Sequence, residues 1–220
     1  MAEEYPHILA LIQSGRVKHY PRGQMLLYQG DQAEDVLLLK SGIIKMYDID
    51  EQGNEKILHL LKAAAVFPLA FFSGPGTKTR WFYAALTDCD IVALPAEQLR
   101  GYLTAHSALT NELLEWFSRE VHELLVRLSS LGKSNARTKV LAALKFLAVQ
   151  HSSVRHSGWR RVKFSVNHQL IADMTGLTRE STATIMHEFQ EEGLLRHPRQ
   201  TILEIQFDKL FEQGNALFGG

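Results

Sequence analysis

Apolar positions are grouped in short runs through the first half of the chain, and then the period changes. From Val17 to about Leu94 the runs "GQMLLYQG", "EDVLLLKSG", "IIKMYDIDEQGNEKILHLL" and "DIVALP" are separated by Gly23, Gly30, Gly42 and Gly53, roughly ten residues apart. Runs of this length and punctuation predict antiparallel strands in a sandwich or barrel. "DEQGNE" between two strand patterns is a hairpin-turn signal. From about Ser107 the pattern becomes helical. Leu114, Phe117, Val121, Leu124, Leu128 and Leu131 fall alternately three and four apart, which is a heptad seam. A second stripe, Leu109, Leu113 and Trp116, lies beside it. One stripe can cover the β-domain while the other meets a second copy of the chain. The competing reading is a two-faced core helix in a monomer. The regular seam and its charged flanks (Glu120, Glu123, Arg127) favour the dimer.

"LGKSNAR", 131–137, reads as a hinge, because Gly132 and Ser134 interrupt the helical pattern. A helix "ARTKVLAALKFLAVQ" follows, and then "HSSVRHSGWRRVK", which reads as a polar, basic loop. "SVNHQLIADMTGLTRESTATIMHEFQEEGLL" predicts two helices joined by a tight turn. Asn167 caps the first, and Leu170, Ile171 and Met174 form its apolar face. Gly176 permits a positive φ in the turn. Thr178 caps the second helix, which would bury Thr182, Ile185, Met186 and Phe189. "GLLRHPRQTILEIQF" then reads as two short strands around a Pro-Arg-Gln turn, a wing whose Arg199 or Gln200 could touch a nucleic-acid backbone.

The second helix opens with Arg179, Glu180 and hydroxyl residues, either as a solvated surface turn or as a face for phosphates and base edges. Arg pairs with guanine O6 and N7, and Glu accepts from cytosine N4. Short hydroxyls and the N–H groups of a helix start suit phosphate oxygens. The expected DNA-contacting set is therefore Asn167, His168, Thr178, Arg179, Glu180, Ser181, Thr184 and Arg199. Arg160 and Arg161 would add salt dependence if their loop lies near DNA. The competing reading is a helical packing module without a ligand.

Charge supports the nucleic-acid reading. The 220 residues have a formal net charge of +0. Residues 1–132 nevertheless carry 12 Lys and Arg against 16 Asp and Glu, whereas residues 133–209 carry 12 against 7. A polyanion would dock on the basic half. The single cysteine, Cys89, excludes an intrachain disulfide framework and fits a reducing compartment. No apolar run is long enough to span a bilayer, and the acidic N-terminus lacks a signal-peptide pattern. A cytoplasmic protein is expected. No nucleophile–base grouping, metal-ligand spacing or P-loop points to an enzyme.

These motifs, in this order, resemble the Crp/Fnr-type transcription regulators. "VNHQLIADMTGLTRESTATIMHEFQEEGLL" is similar to the family's DNA-reading segment and "NARTKVLAALKFLA" to the helix before it. "YPRGQMLLYQGDQAEDVLLLKSGIIKMYDIDEQGNEKILHLL" and "LTDCDIVALP" resemble its cyclic-nucleotide-binding-type β-roll. The resemblance implies an α+β fold: an antiparallel, jelly-roll-like β-roll sensor over 1–106, a dimerisation helix and hinge over 107–133, and a winged helix-turn-helix over 134–220. The implied partners are double-stranded DNA with a near-palindromic operator, a second copy of the chain and RNA polymerase.

Two departures qualify the resemblance. Arg179 and Glu180 match the family's Arg-Glu pair, but Thr184 stands in the row where a second Arg is usual. In the phosphate cassette, Pro68 and Leu69 stand where Gly and Glu would be, Arg80 is followed by Trp81, and an ungapped count puts Thr79 in the Arg place. A phosphate without its Arg loses a charge-assisted pair worth ~1.5–3 kcal/mol, so cyclic-nucleotide binding is not expected. Phe67, Phe71, Phe72, Trp81, Phe82 and Tyr83 enrich the segment in aromatics. They form either a collapsed core or a pocket for a small apolar or aromatic effector, with Phe67, Leu69, Arg80 and Trp81 as its candidate lining. Ten histidines leave a haem sensor open, but no pair stands out, and His19 and His59 read as surface or strand residues. No cofactor is expected. The alternative function is a ligand-binding module, cyclic-nucleotide or haem, whose helix-turn-helix only packs.

Overall fold

The computed structural model describes residues 5–218 except 33, 75, 133, 134 and 200, with side chains as far as residue 212. Two compact units emerge, one of residues 1–50 and 57–124, the other of residues 51–56 and 125–220.

The first unit opens with helix α1 (Pro6–Ser14). Eight strands follow: β1 (Val17–Tyr20), β2 (Met25–Leu27), β3 (Asp35–Ser41), β4 (Ile44–Ile49), β5 (Glu55–Leu61), β6 (Val66–Phe67), β7 (Phe82–Ala85) and β8 (Cys89–Pro95). A 3-10 turn, Leu69–Ser73, lies between β6 and β7. Helices α2 (Ala96–Ala105) and α3 (Ser107–Leu131) close the unit. The strands form two four-stranded sheets, ordered β1-β8-β3-β6 and β2-β7-β4-β5. Val36–Leu39 of β3 are all buried rather than alternating. β3 lies inside its sheet, and α1 and α2 pack on it. A strand covered on both faces has no solvent side to make polar.

Gly42, in the turn between β3 and β4, has φ +95, and a Cβ there would lie 2.4 Å from the Asp88 carbonyl oxygen. Only glycine fits both the conformation and the space. Cys89 is fully buried in β8. Helix α1 has no side-chain cap from its own N-cap residue. Glu112 of α3 supplies one, accepting from the backbone N–H of His7 at 2.9 Å and of Ile8 at 3.0 Å, and pairing with His7 Nδ1 at 2.5 Å. Burial pushes the Glu112 carboxyl up, but these hydrogen bonds outweigh it and hold the group below its ordinary value.

The second unit consists of the end of α3, α4 (Ala136–Gln150), β9 (Ser152–Val154), β10 (Trp159–Val162), α5 (His168–Thr175), α6 (Arg179–Glu191), β11 (Leu195–Arg199), β12 (Ile202–Gln206) and α7 (Phe207–Phe218). Its sheet runs β11-β12-β10-β9, with each adjacent pair antiparallel. Asn135 caps α4 by accepting the Arg137 N–H at 2.8 Å.

Three elements differ from the sequence expectation. "HSSVRHSGWRRVK" is not a loop but the β9–β10 hairpin. Its turn residues Ser157 and Gly158 both take positive φ, 58° and 74°, the geometry of tight hairpin turns. Helices α1 and α2 were not expected. The hinge around Gly132 falls partly on residues 133 and 134, and the wing residue Gln200 was the other expectation outside the described residues.

Candidate functional site

The reading surface is built by local capping. Asn167 Oδ1 accepts the Leu170 N–H at 2.8 Å and starts α5. Leu170, Ile171, Ala172 and Met174 turn inward. Gly176 ends the helix with φ +69, the left-handed conformation favoured at a helix C-terminus. Thr178 Oγ1 accepts the Ser181 N–H at 3.2 Å and starts α6. The second helix buries Thr182, Ile185, Met186 and Phe189 and leaves Arg179, Glu180, Ser181 and Thr184 exposed. The Thr184 hydroxyl donates to the Glu180 carbonyl at 3.2 Å, so it meets any partner mainly as an acceptor. His168 is half-buried. Burial, and then the positive charge of His197 and Arg179, lower its pKa. His168 at the start of α5, Arg179 at the start of α6 and His197 of β11 are thus within electrostatic reach of one another. Arg199, at the end of β11, is exposed.

Ion pairs support this surface from behind. Glu188, Glu191 and Glu192 crowd the C-terminal end of α6, the unfavourable end for acids in the helix dipole. Arg137 of α4 offsets them, donating to Glu188 at 3.0 Å and Glu192 at 2.6 Å while stacking on Phe189 at 4.3 Å. Under the wing, Glu204 of β12 is buried and accepts from Arg161 at 2.7 Å and Arg196 at 2.7 Å. Arg160 lies 3.5 Å over the Phe207 ring and donates to the Ala148 carbonyl at 3.2 Å. Arg160 and Arg161, considered above for salt dependence, are thus engaged inside the unit. An open groove of about 440 Å³ between the β9–β10 hairpin and the wing turn carries Arg155 and Lys163 on its walls.

On α3, the six seam residues do not share one environment. Leu114, Val121 and Leu128, seven apart, are exposed, and Leu125 joins them. Phe117, Leu124 and Leu131 are half-buried. Phe117 packs on Phe72 at 5.4 Å, and Leu124 lines a cavity of the β-roll. The exposed stripe is therefore rotated from the sequence seam towards Leu125.

That cavity lies between β4, β5, β6, β7 and α3, and its volume is about 10 Å³, enough for about one water. Phe67 and Leu69 line it, but Arg80 and Trp81 do not. Arg80 is exposed and Trp81 half-buried. Phe67 stacks on Tyr83 at 5.5 Å. The Tyr83 hydroxyl accepts the Leu69 N–H at 3.4 Å, and burial pushes its pKa to about 12. Thr79 is buried and donates to the Trp81 carbonyl at 3.1 Å, so its hydroxyl is used in the local turn. His59 also lines the cavity, and its Nε2 meets Glu120 of α3 at 2.5 Å. Among the described residues no cluster of three or more His, Cys, Asp or Glu could hold a metal.

Comparison with known proteins matches this arrangement. The family described as "Cyclic nucleotide-binding domain" matches residues 9–106, and the "Crp-like helix-turn-helix domain" matches residues 138–211. The chain belongs to the Crp/Fnr-type transcription regulators. Among curated members of this family, the HTH-type transcriptional regulator ArcR of Staphylococcus haemolyticus is 28% identical over 180 residues, covering 81% of this chain and 78% of the relative. The Cyclic AMP receptor protein of Thermus thermophilus is 25% identical over 194 residues, covering 88% of this chain and 85% of the relative. The structure of FixK2 from Bradyrhizobium japonicum superposes with a TM-score of 0.76 at 18% identity, covering 90% of this chain and 96% of that one. That similarity shows the shared fold.

The 3-10 turn begins with Leu69, and beside it Phe67 stacks on Tyr83. Tyr83, one of the aromatics expected in a core or pocket, lines the cavity, whereas His59, Glu120 and Trp116 were not expected there. A signal was present: His59 lies two residues from Ile57 and Leu61 on one face of β5, and Glu120 lies four from both Trp116 and Leu124 on α3.

Proposed function

We propose that the chain is a homodimeric, sequence-specific DNA-binding regulator whose β-roll does not use a cyclic nucleotide. The observation that carries the reading is the start of α6: a capped first turn that exposes Arg179, Glu180, Ser181 and Thr184, on a helix whose other face buries Thr182, Ile185, Met186 and Phe189. A side chain spent on packing would not be left in solvent beside free helix-start N–H groups. Arg179 and Glu180 read base edges, while Thr178, Ser181, Asn167, His168 and Arg199 set the register on phosphates. The exposed stripe of α3 forms the two-fold contact and places two copies of α6 about 34 Å apart on a near-palindrome. RNA polymerase is the partner once DNA is bound. The site is a binding surface rather than a catalytic one. No helix among the described residues is long and apolar enough to cross a membrane, and the reading places the protein in the cytoplasm. The Leu69 cassette favours an effector that is apolar or aromatic, or none; a cavity of about 10 Å³ has room for about one water and would have to open for any effector.

Selection of binding sites from random DNA tests the reading, run with the wild type and with Arg179→Ala, each with and without cyclic AMP. The wild type should select a near-palindrome, unchanged by cyclic AMP. Loss of a bidentate Arg contact should cost ~1–3 kcal/mol and relax one base pair per half-site. A wild type that selects nothing, even with cell extract present, would favour a helix-turn-helix that only packs.

A further inference from the structure

Arg127 lies near the end of α3 in the second unit and is only 8% exposed. Its Nη2 donates to the Met174 carbonyl oxygen at 3.1 Å, and its guanidinium lies 5.1 Å from the centroid of Phe146 in α4. Met174 is the penultimate residue of α5, whose last carbonyls have no intrahelical donor. A cation at that end also meets the negative pole of the helix dipole. Burial lowers the Arg127 pKa to about 10, so the group remains a cation at neutral pH. Its chain neighbour Leu128, about 100° further round the same helical turn, is exposed, and so are Val121 and Leu114 seven and fourteen residues before it. One turn of α3 therefore carries both a residue of the exposed stripe and the side chain that grips the reading motif. The gripped carbonyl lies four residues before Thr178, the cap of α6.

We propose that Arg127 is a positioning residue that sets the spacing between half-sites which the dimer accepts. This inference rests on the dimeric DNA-binding reading above. Adding one base pair between half-sites moves them apart by about 3.4 Å and rotates them by roughly 35°. A reading motif pinned to the helix on the two-fold axis cannot follow that rotation, whereas an unpinned one can.

The test uses the full-length protein and a selected operator, with its central spacer at the selected length and at one base pair more and one less. Competition binding is measured for the wild type, Arg127→Met and Arg127→Lys. Methionine keeps the volume, removes the donor and can rest its sulfur on Phe146. The substitution leaves no unpaired charge inside, although the Met174 carbonyl loses its donor, and thermal melting verifies the fold. The wild type should lose about tenfold or more on either altered spacer, comparable to a mismatched base pair. Arg127→Met should bind all three within about threefold of one another, with the lysine variant between, since it keeps a charge and a donor. An unchanged spacer ratio in Arg127→Met, or an equal loss on all three DNAs, would overturn the proposal while leaving the DNA-binding reading intact. If the methionine variant does not fold, the lysine variant is judged by the same ratio. A wild type that binds at no spacing would overturn the dimeric reading itself.

Discussion

Glu204 and its two arginines allow a prediction in which the direction of substitution decides the result. The carboxylate is 2% exposed, whereas the Arg161 and Arg196 side chains are 36% and 50% exposed. Changing both arginines to glutamine strands a buried charge, which costs ~3–5 kcal/mol. Changing Glu204 to leucine instead frees two arginines that already reach water, so the loss should stay below ~2 kcal/mol. In a unit of this size each kcal/mol shifts the melting temperature by roughly 4–8 °C. The double arginine variant should thus melt more than about 12 °C below the wild type, and Glu204→Leu should lie between the two. The pH dependence separates them further. Burial pushes the Glu204 carboxyl up, but Arg161 and Arg196 outweigh it and hold the group below its ordinary value. In the wild type its stabilisation is full above the ordinary carboxylate range and is lost as pH falls through the lowered value. In the double arginine variant burial alone acts on the carboxyl, and that variant should gain relative stability as pH falls. Calorimetry from pH 4 to 8, with the DNA-binding transition followed on its own, measures both effects. A Glu204→Leu variant less stable than the double arginine variant would refute the reasoning. So would a salt dependence of DNA binding that drops by about 0.9 per arginine removed with no change in melting, because that is the signature of phosphate contacts.

Two further predictions concern the assembly and the reading surface. Val121→Glu and Leu128→Glu should give monomers in sedimentation, whereas Leu124→Glu, which points into the β-roll cavity, should lower stability first; a dimeric Leu128→Glu would refute the rotated stripe. His168 has its pKa lowered by burial and by the charges of His197 and Arg179, so a docked phosphate should raise it and binding should take up a proton. Affinity should then rise as pH falls from roughly 8 to 6, the range in which imidazole titrates, and His168→Ala should flatten the rise; a His168→Ala slope equal to the wild type would remove this residue from the interface.

Legibility in the sequence followed the range of the interactions. The caps at Asn167 and Thr178 and the turn at Gly176 are decided within four residues, so the helix-turn-helix could be placed and its buried face named. The β9–β10 hairpin was equally local, but its Ser157–Gly158 turn signal was overlooked among polar, basic neighbours. The α3 seam joins two rows, the exposed Leu114, Val121 and Leu128 and the half-buried Phe117, Leu124 and Leu131, because both rows share the heptad spacing. Only the position of the β-roll decides which of the two rows is covered. The pairing of His59 with Glu120 spans 61 residues, and nothing near either residue requires it. Whether Arg160 and Arg161 are available to DNA is not legible locally, because their partners Phe207 and Glu204 lie more than forty residues on.

The cap that Glu112 provides for α1 constrains the order of events during synthesis. His7 and Glu112 are 105 residues apart, and a growing chain adds ~5–20 residues per second. The helix therefore leaves the ribosome roughly 5–20 seconds ahead of the carboxylate that satisfies its first N–H groups. The surface beside it includes Val92, which the backbone at Gly15 approaches closely, so its docking place is also unfinished for most of that interval. A nascent α1 is a short helix without tertiary support, too short to persist in water. An element made early in this unit is therefore fixed only after α3 has been made.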